Sequence, residues 1–358
     1  MSKKTMFDFK TKSSDFKVIQ LLGCGAFGQV FELLHIPSGK HYAGKLFIDV
    51  DSAKLKEINK EIGIMDSMDS EYMVNFYGMI KFPKTNPHSM IIMDYCDRGS
   101  VRDIMDYNEI TLTEEQMSFI LHDLLCALSV LHNKYKIIHR DIKLANILMS
   151  TDSSVKVTDF GISRKFEQTT IHTSSTVGTP YWMAPEVILS EKYSYPADIW
   201  SVGATAVELA EGAPPFCELP ETRAMNEIVT RGFPGFRSGT TISSELRNFI
   251  YKCMIRNPDR RPTADELLTH PFIRKCEKLD RKATFANVLS QNINFVDLIA
   301  DEDIEYITKF IKFENTPEYN KQTNKSESKK TFNTFIKKAA PGVAVDSIYV
   351  KDANSEQK

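Results

Sequence analysis

The chain has 358 residues, 42% of them hydrophobic, and a formal net charge of -2. This is long enough for two lobes and a tail around a sizeable core, and so small an overall charge excludes a general attraction to nucleic acid or anionic membranes. The six cysteines (Cys24, Cys96, Cys126, Cys217, Cys253, Cys276) form no Cys-x-x-Cys pair, which argues against a disulfide framework or zinc site and for reduced thiols. No apolar run approaches a membrane span. The opening Met-Ser-Lys-Lys-Thr-Met-Phe-Asp lacks a signal core and has no glycine at position 2, so the expectation is a cytoplasmic protein.

Residues 1–15 are polar and Lys-rich and read as a flexible lead-in. Val18, Ile19, Leu21 and Leu22 then run into Gly23-Cys24-Gly25-Ala26-Phe27-Gly28-Gln29-Val30. Glycines at this spacing occur in dinucleotide-binding turns, where an acidic residue stands about 20 positions on, and Asp49 invites that reading. The residues after Gly28 decide against it. Val30 to Leu34 is strand-like, Pro37-Ser38-Gly39-Lys40 is a turn, and His41 to Ile48 is another strand carrying Lys45. The glycines therefore sit in a β-hairpin, whose backbone can close over phosphates.

Residues 53–68 have helical periodicity with Leu55, Ile58, Ile62 and Met65 on one face, and Glu57 and Glu61 lie one turn apart in it. Met90 to Cys96 reads as a strand. Thr113 and Gln116 have the spacing of a capping box before a strongly apolar helix containing Phe119, Leu121, Leu124, Leu125, Leu128 and Leu131. Between Ile137-Ile138 and Glu186 lies the stretch with the richest chemistry. Ile147 to Met149 and Val155 to Val157 read as two short strands joined by Thr151-Asp152-Ser153-Ser154. That hairpin carries Asp159 back to face Asn146, with Asp141 close by in the preceding loop. Oxygen ligands on either side of a hairpin can share a metal ion that bridges phosphate oxygens. Asp198 to Ala210 is apolar on nearly all sides, as a buried helix should be.

Taken together, His139-Arg140-Asp141-Ile142-Lys143-Leu144-Ala145-Asn146, Asp159-Phe160-Gly161 and Ala184-Pro185-Glu186 resemble the catalytic and activation loops of a eukaryotic protein kinase. The resemblance covers about residues 16–273 and implies an α+β, bilobal fold with a β-rich small lobe and a helical large lobe. It implies ATP and Mg²⁺ as nucleotide and metal. Leu22, Gly23, Gly25, Gly28, Val30, Ala43 and Met93 would line the nucleotide site, with Asp94 and Cys96 in the hinge that meets adenine. Lys45 would position the phosphates and Glu61 would hold Lys45. Asp141 would orient the acceptor hydroxyl, Lys143 would sit by the transferred phosphate, and Asn146 and Asp159 would hold the metal. Phe160, Thr179, Glu186, Asp198 and Arg261 carry over as regulatory or structural positions: Thr179 linking Asp141 and Lys143, Asp198 holding the catalytic-loop backbone, Arg261 pairing with Glu186. Gly44 departs from the family's text before its lysine and should loosen the strand slightly.

Lys143 two places after Asp141 resembles Ser/Thr-specific kinases. Gly178-Thr179-Pro180-Tyr181-Trp182 and Asp198-Ile199-Trp200-Ser201-Val202-Gly203 are similar to the sterile (yeast mating) group, with Hippo-type and germinal-centre kinases and MAP kinase kinase kinases all close. The implied activity is γ-phosphoryl transfer from ATP to Ser/Thr of protein substrates in a signalling cascade. Ser175, with Thr176 as its rival, would be the activating phosphorylation site, filled by an upstream kinase or by trans-autophosphorylation. Arg140, a cation without an evident partner in the sequence, would receive the phosphate. A catalytically dead scaffold would predict damage to one of these positions, and none is seen. Residues 274–358 form a tail in which Leu289, Ile293, Val296, Ala300, Ile304, Ile307 and Ile311 have amphipathic spacing. That helix either packs on the large lobe or offers a partner or dimer face, and residues near 315 to 335 read as disordered. A chain ending near Lys278 is expected to remain folded and active, because every motif needed for catalysis lies before it.

Overall fold

The computed structural model describes residues 15–25, 28–47, 59, 62–81, 89–159, 164–165, 180–191 and 193–290. Glu57, Glu61, Phe160, Ser175, Thr176, Thr179 and the tail from residue 291 lie outside the described residues. Strand β1 (Phe16–Gly25) pairs antiparallel with β2 (Gly28–His35), and Gly25 stands opposite Gly28 at the tip, so the glycine run is a hairpin as the sequence indicates. Strand β3 (Lys40–Phe47) comes next, then β4 (Phe76–Lys81) and β5 (Ser89–Met93), in the sheet order β1-β2-β3-β5-β4. Lys45 faces Val30 on one neighbour and Ile91 on the other.

Gly44 has a packing reason that the sequence did not reveal. A Cβ at Gly44 would stand 2.5 Å from Leu33 Cδ1 and 2.8 Å from Met90 Sδ. Leu33 and Met90 already fill that space in a small-lobe core that also contains Phe16, Leu21, Phe31, Leu46, Ile80 and Ile92. The glycine accommodates its neighbours and does not merely loosen the strand.

The larger core belongs to the helical lobe and continues into the small lobe through Phe47, Ile64, Met65 and Met68. Its helices start where the caps require. Helix α1 (Val101–Tyr107) opens at Ser100, and α2 (Glu114–Val130) at Thr113, whose reciprocal bonds with Gln116 complete the expected capping box. Strand β6 (Ile137–Ile138) leads into the loop before β7 (Ile147–Met149) and β8 (Val155–Val157), and β9 (Arg164–Lys165) pairs with β6. Helix α3 (Pro185–Ile188) is short. Helix α4 (Pro196–Glu211) starts on a proline and stops at Gly212, which adopts φ +74°. Helix α5 (Glu221–Arg231) packs against α3, α6 (Ser244–Cys253) against α4, and α7 (Ala264–Leu268) against α2. No helix among the described residues is long and apolar enough to cross a membrane.

Helix α8 (Arg281–Leu289) ends the described chain, capped by Asp280. It buries Phe285 and Val288 in the large-lobe core, with the Phe285 ring 6.0 Å from that of Phe119 on α2. Gln116 Nε2 donates to Thr284 O at 2.8 Å and to Asn287 Oδ1 at 2.9 Å. The expectation that a chain ending near Lys278 would fold unharmed is therefore revised. Such a chain exposes an apolar site worth about 1.5–3 kcal/mol for each large side chain removed, because the apolar face of the tail begins at Phe285, before the periodic run that starts with Leu289. Of that run Leu289 is described, and it packs against the core.

Candidate active site

The loop between β6 and β7 is held from below by one side chain. Asp198, on the first turn of α4, is fully buried. Its Oδ2 accepts the His139 N–H at 2.8 Å and His132 Nε2 at 2.8 Å, and its Oδ1 accepts the Arg140 N–H at 2.8 Å. Burial alone would raise this carboxyl, but the His132 bond, the nearby imidazoles and the Arg140 N–H outweigh it and keep the group below the ordinary carboxylate range. The grip matters because Arg140 is held at φ +76°, a region that a residue with a side chain seldom enters. His139 ties the loop forward. Its Nε2 donates to Thr158 O at 3.0 Å, and its Nδ1 accepts the Asp141 N–H at 3.3 Å. The Arg140 guanidinium lies 4.9 Å over the Tyr193 ring, so this cation has a contact that the sequence did not foretell.

The turn after Asp141 gathers polar groups on its carboxylate. Lys143 Nζ lies 2.8 Å from Asp141 Oδ2, and Asn146 Nδ2 donates to the same oxygen at 2.8 Å and to Asp141 O at 2.7 Å. The β7–β8 hairpin pairs Ile147 with Val157, and Thr158 N donates to Asn146 O at 3.0 Å, which brings Asp159 beside Asn146 as the spacing required. Asp159 also has a left-handed backbone, φ +66°. Its Oδ1 is buried with no hydrogen-bond partner among the described residues, and Lys45 Nζ stands 4.0 Å away, beyond hydrogen-bond reach. A buried carboxylate oxygen in that state fits a hard cation. With its nitrogen committed to Asp141, Asn146 can offer its oxygen, and two such oxygens completed by phosphate oxygens are a usual donor set for Mg²⁺. No group of three or more His, Cys, Asp or Glu suited to a metal occurs among the described residues, so the pair would depend on the nucleotide to complete the shell.

The residues expected at the nucleotide lie on the small-lobe strands and the segment that follows β5. Ala43 is opposite Met93 in the β3–β5 pairing, and Leu22 and Val30 pack partly buried against the main core. Asp94 is fastened on every side. Its N–H donates to Asn75 O at 3.0 Å, while its carboxylate accepts from Asn75 N at 3.0 Å, Tyr77 OH at 2.7 Å and Lys156 Nζ at 2.6 Å. The hinge is thus tied to β4 in the small lobe and β8 in the large one. The Cys96 carbonyl accepts the Gly99 N–H at 3.2 Å, and burial pushes the Cys96 thiol up to about 11.

Glu186 and Arg261 meet as expected, in a buried bidentate pair at 2.7 and 2.8 Å. Arg261 also donates to the carbonyls of Ile255, Pro196 and Arg256, so it ties Ala-Pro-Glu to the start of α4. A pair this completely bonded can bear the desolvation of both charges.

Residues 16–273 match the family described as protein kinase domain. The chain belongs to the protein kinase family. Among curated kinases, it is 37% identical over 304 residues to the serine/threonine-protein kinase pakF of Dictyostelium discoideum, covering 85% of this chain and 25% of that protein. It is 44% identical over 262 residues to the serine/threonine-protein kinase hippo of Drosophila melanogaster, covering 73% of this chain and 38% of that one. The kinase chain therefore spans well under two thirds of either relative. Because 304 residues is more than the stretch from Met1 to Ile273, the likeness to pakF continues past the matched domain.

Two residues of this kinase site give little sign of themselves in the sequence. His132 stands at the end of an apolar helix, yet it supports Asp198 and stacks on Tyr195 at 4.7 Å. Glu208, inside the otherwise apolar α4, accepts from Trp182 Nε1 at 3.0 Å and Leu144 N at 3.2 Å, and so joins the catalytic loop to the Pro-Tyr-Trp segment. An acid deep inside a helix that is apolar on nearly all sides was the available signal. Burial raises its carboxyl from 4.5 to about 7, against the opposing Leu144 N–H, Arg102 and Trp182. In the unfolded chain this group ionises near its ordinary value, so its contribution to stability is complete below that value and is lost as pH rises through about 7. Glu208→Gln removes that titration. We expect the thermal midpoint of Glu208→Gln to improve relative to the parent as pH rises from about 5 to about 8. A constant difference across that range would contradict the assignment.

Proposed function

We propose that this chain is an ATP- and Mg²⁺-dependent protein serine/threonine kinase of the sterile group, acting on protein substrates in a signalling cascade. The observation that carries the reading is the Asp141 carboxylate, bonded by Lys143 and Asn146, together with the buried Asp159 oxygen that has no hydrogen-bond partner among the described residues. Asp141 orients the acceptor hydroxyl and takes up its proton, and Lys143 neutralises charge on the phosphoryl group in flight. Lys45 positions the phosphates, with Glu61 as its holder. Asn146 and Asp159 hold the metal, and when bound Mg²⁺ would neutralise the phosphate oxygens as charge shifts toward the leaving group. Leu22, Gly23, Gly25, Gly28, Val30, Ala43 and Met93 enclose the nucleotide, and the backbone at Asp94 and Cys96 meets adenine. The reading of the chain as cytoplasmic draws support from its thiols: Cys96, Cys126, Cys217, Cys253 and Cys276 are all free.

Activation is proposed to come from phosphorylation of Ser175, with Thr176 as the alternative, by an upstream kinase or in trans. A phosphate carries about -1.5 to -2 charges, enough to draw the guanidinium of Arg140, whose backbone Asp198 holds. Thr179 has a separate role, its hydroxyl linking Asp141 and Lys143 whatever the phosphorylation state. The tail from residue 291 would either pack on the large lobe or offer a face to a partner or a second copy.

Asp141→Asn should leave a folded, ATP-binding protein that loses at least about a thousandfold in phosphoryl transfer, roughly 4 kcal/mol of transition-state stabilisation. Transfer to a generic Ser/Thr substrate at the parent's rate would remove Asp141 from this role. For the switch, the Ser175→Ala, Thr176→Ala double variant should have little activity. A double variant shown by mass spectrometry to lack phosphate in this loop, yet as active as the parent, would abolish the proposal.

A further inference from the structure

Helix α8 does more than cover apolar surface. Arg281, its first residue, chelates the Asp123 carboxylate of α2 through two bonds, at 2.6 and 2.8 Å, and the Asp123 side chain is itself only 4% exposed. The guanidinium also lies 4.7 Å over the Phe119 ring, so its plane is set from two directions. The same nitrogen that takes Asp123 Oδ2 donates to the carbonyl of Ser153 at 3.1 Å. Ser153 is the fully buried corner of the β7–β8 hairpin, held at φ +64°, with its N–H on Ser150 O at 2.8 Å. The other end of that hairpin carries Asn146 and Asp159. Its strands are only three residues each, so the turn lies close to the ligand end. On its outer side the hairpin is gripped by the small lobe, where Val157 N donates to Tyr72 O and Val74 N to Val157 O, both at 2.9 Å.

We infer that Arg281, which lies outside the matched domain, is a positioning residue for the metal site: it fixes the turn of the hairpin whose far end presents Asn146 and Asp159. The inference rests on the proposed function of those two residues. Arginine suits the task because its planar fork can chelate one carboxylate and still reach a carbonyl, whereas a lysine ammonium can supply charge but not that geometry. The catalytic unit accordingly runs to about Leu289, beyond the matched domain.

The test uses the full chain, with calorimetric titration of a non-hydrolysable ATP analogue in Mg²⁺ and in excess chelator, alongside thermal unfolding. The quantity read is the ratio of the two affinities. Partners one shell behind metal ligands change metal affinity by about 10–100-fold, and Arg281 acts at one further remove. We expect Arg281→Ala to shrink the ratio by about three- to tenfold, with Arg281→Lys in between. Phe285→Ala serves as the control: it should lower the thermal midpoint but leave the ratio at the parent's value. If Arg281→Ala does not fold, Arg281→Lys and Asp123→Asn decide by the same ratio. A folded Arg281 variant with the parent's ratio, or a Phe285→Ala ratio that falls as far as that of Arg281→Ala, would reduce α8 to a stability element and overturn the inference. A parent chain whose nucleotide affinity is indifferent to Mg²⁺ would instead overturn the proposed function.

Discussion

The Asp198 carboxylate is cut off from solvent and balanced by two backbone N–H groups and one imidazole. Removing it would strand the His139 and Arg140 amides in the interior at a cost of about 1–3 kcal/mol for each group left unbonded. More than stability depends on it. Arg140 occupies a left-handed conformation with an intrinsic cost of about 1–3 kcal/mol, and the Asp198 bond to its amide helps to hold it there. That bend sets the direction of Asp141, the turn that closes on Asn146, and the hairpin that returns Asp159. Helix α4 is rigid because it is buried on all sides, so an acid on its first turn is a fixed point in a loop that would otherwise have several conformations.

The other supports are similar: a charged side chain satisfies backbone groups remote from it in sequence. Glu208 does this for Leu144, Arg261 for Ile255, Pro196 and Arg256, and Arg281 for Ser153. Several of these interactions span long sequence separations, which allows loops with few regular hydrogen bonds of their own to hold a defined geometry. Asp94 is the corresponding support for the hinge, where it ties both lobes to one residue between them.

Much of this was legible in the chain. Apolar runs bounded by turns marked the strands, Thr113 with Gln116 marked the start of α2, and the limits of the β7–β8 hairpin were readable from its two apolar triplets around a polar turn. The resemblance of the loop text supplied roles for Asp198, Glu186 and Arg261 that composition could not. What was hidden depends on packing in three dimensions. Gly44 looked like a weakness because nothing local says that Leu33 and Met90 converge on it. Arg140 looked partnerless because Tyr193 is remote in sequence. Arg281 looked like one more basic residue in a polar tail, since Asp123 and Ser153, its two partners, are each separated from it by more than a hundred residues.

The central claim is that one buried carboxylate sets the catalytic loop. Native-state hydrogen exchange of the full chain, comparing Asp198→Asn with the parent, addresses it residue by residue. The account predicts that the His139 and Arg140 amides, slow in the parent, exchange much faster in the variant, while Ile147 and Val157 in the hairpin and the middle of α2 keep their protection. Unchanged protection at His139 and Arg140 in a folded Asp198→Asn protein would contradict it.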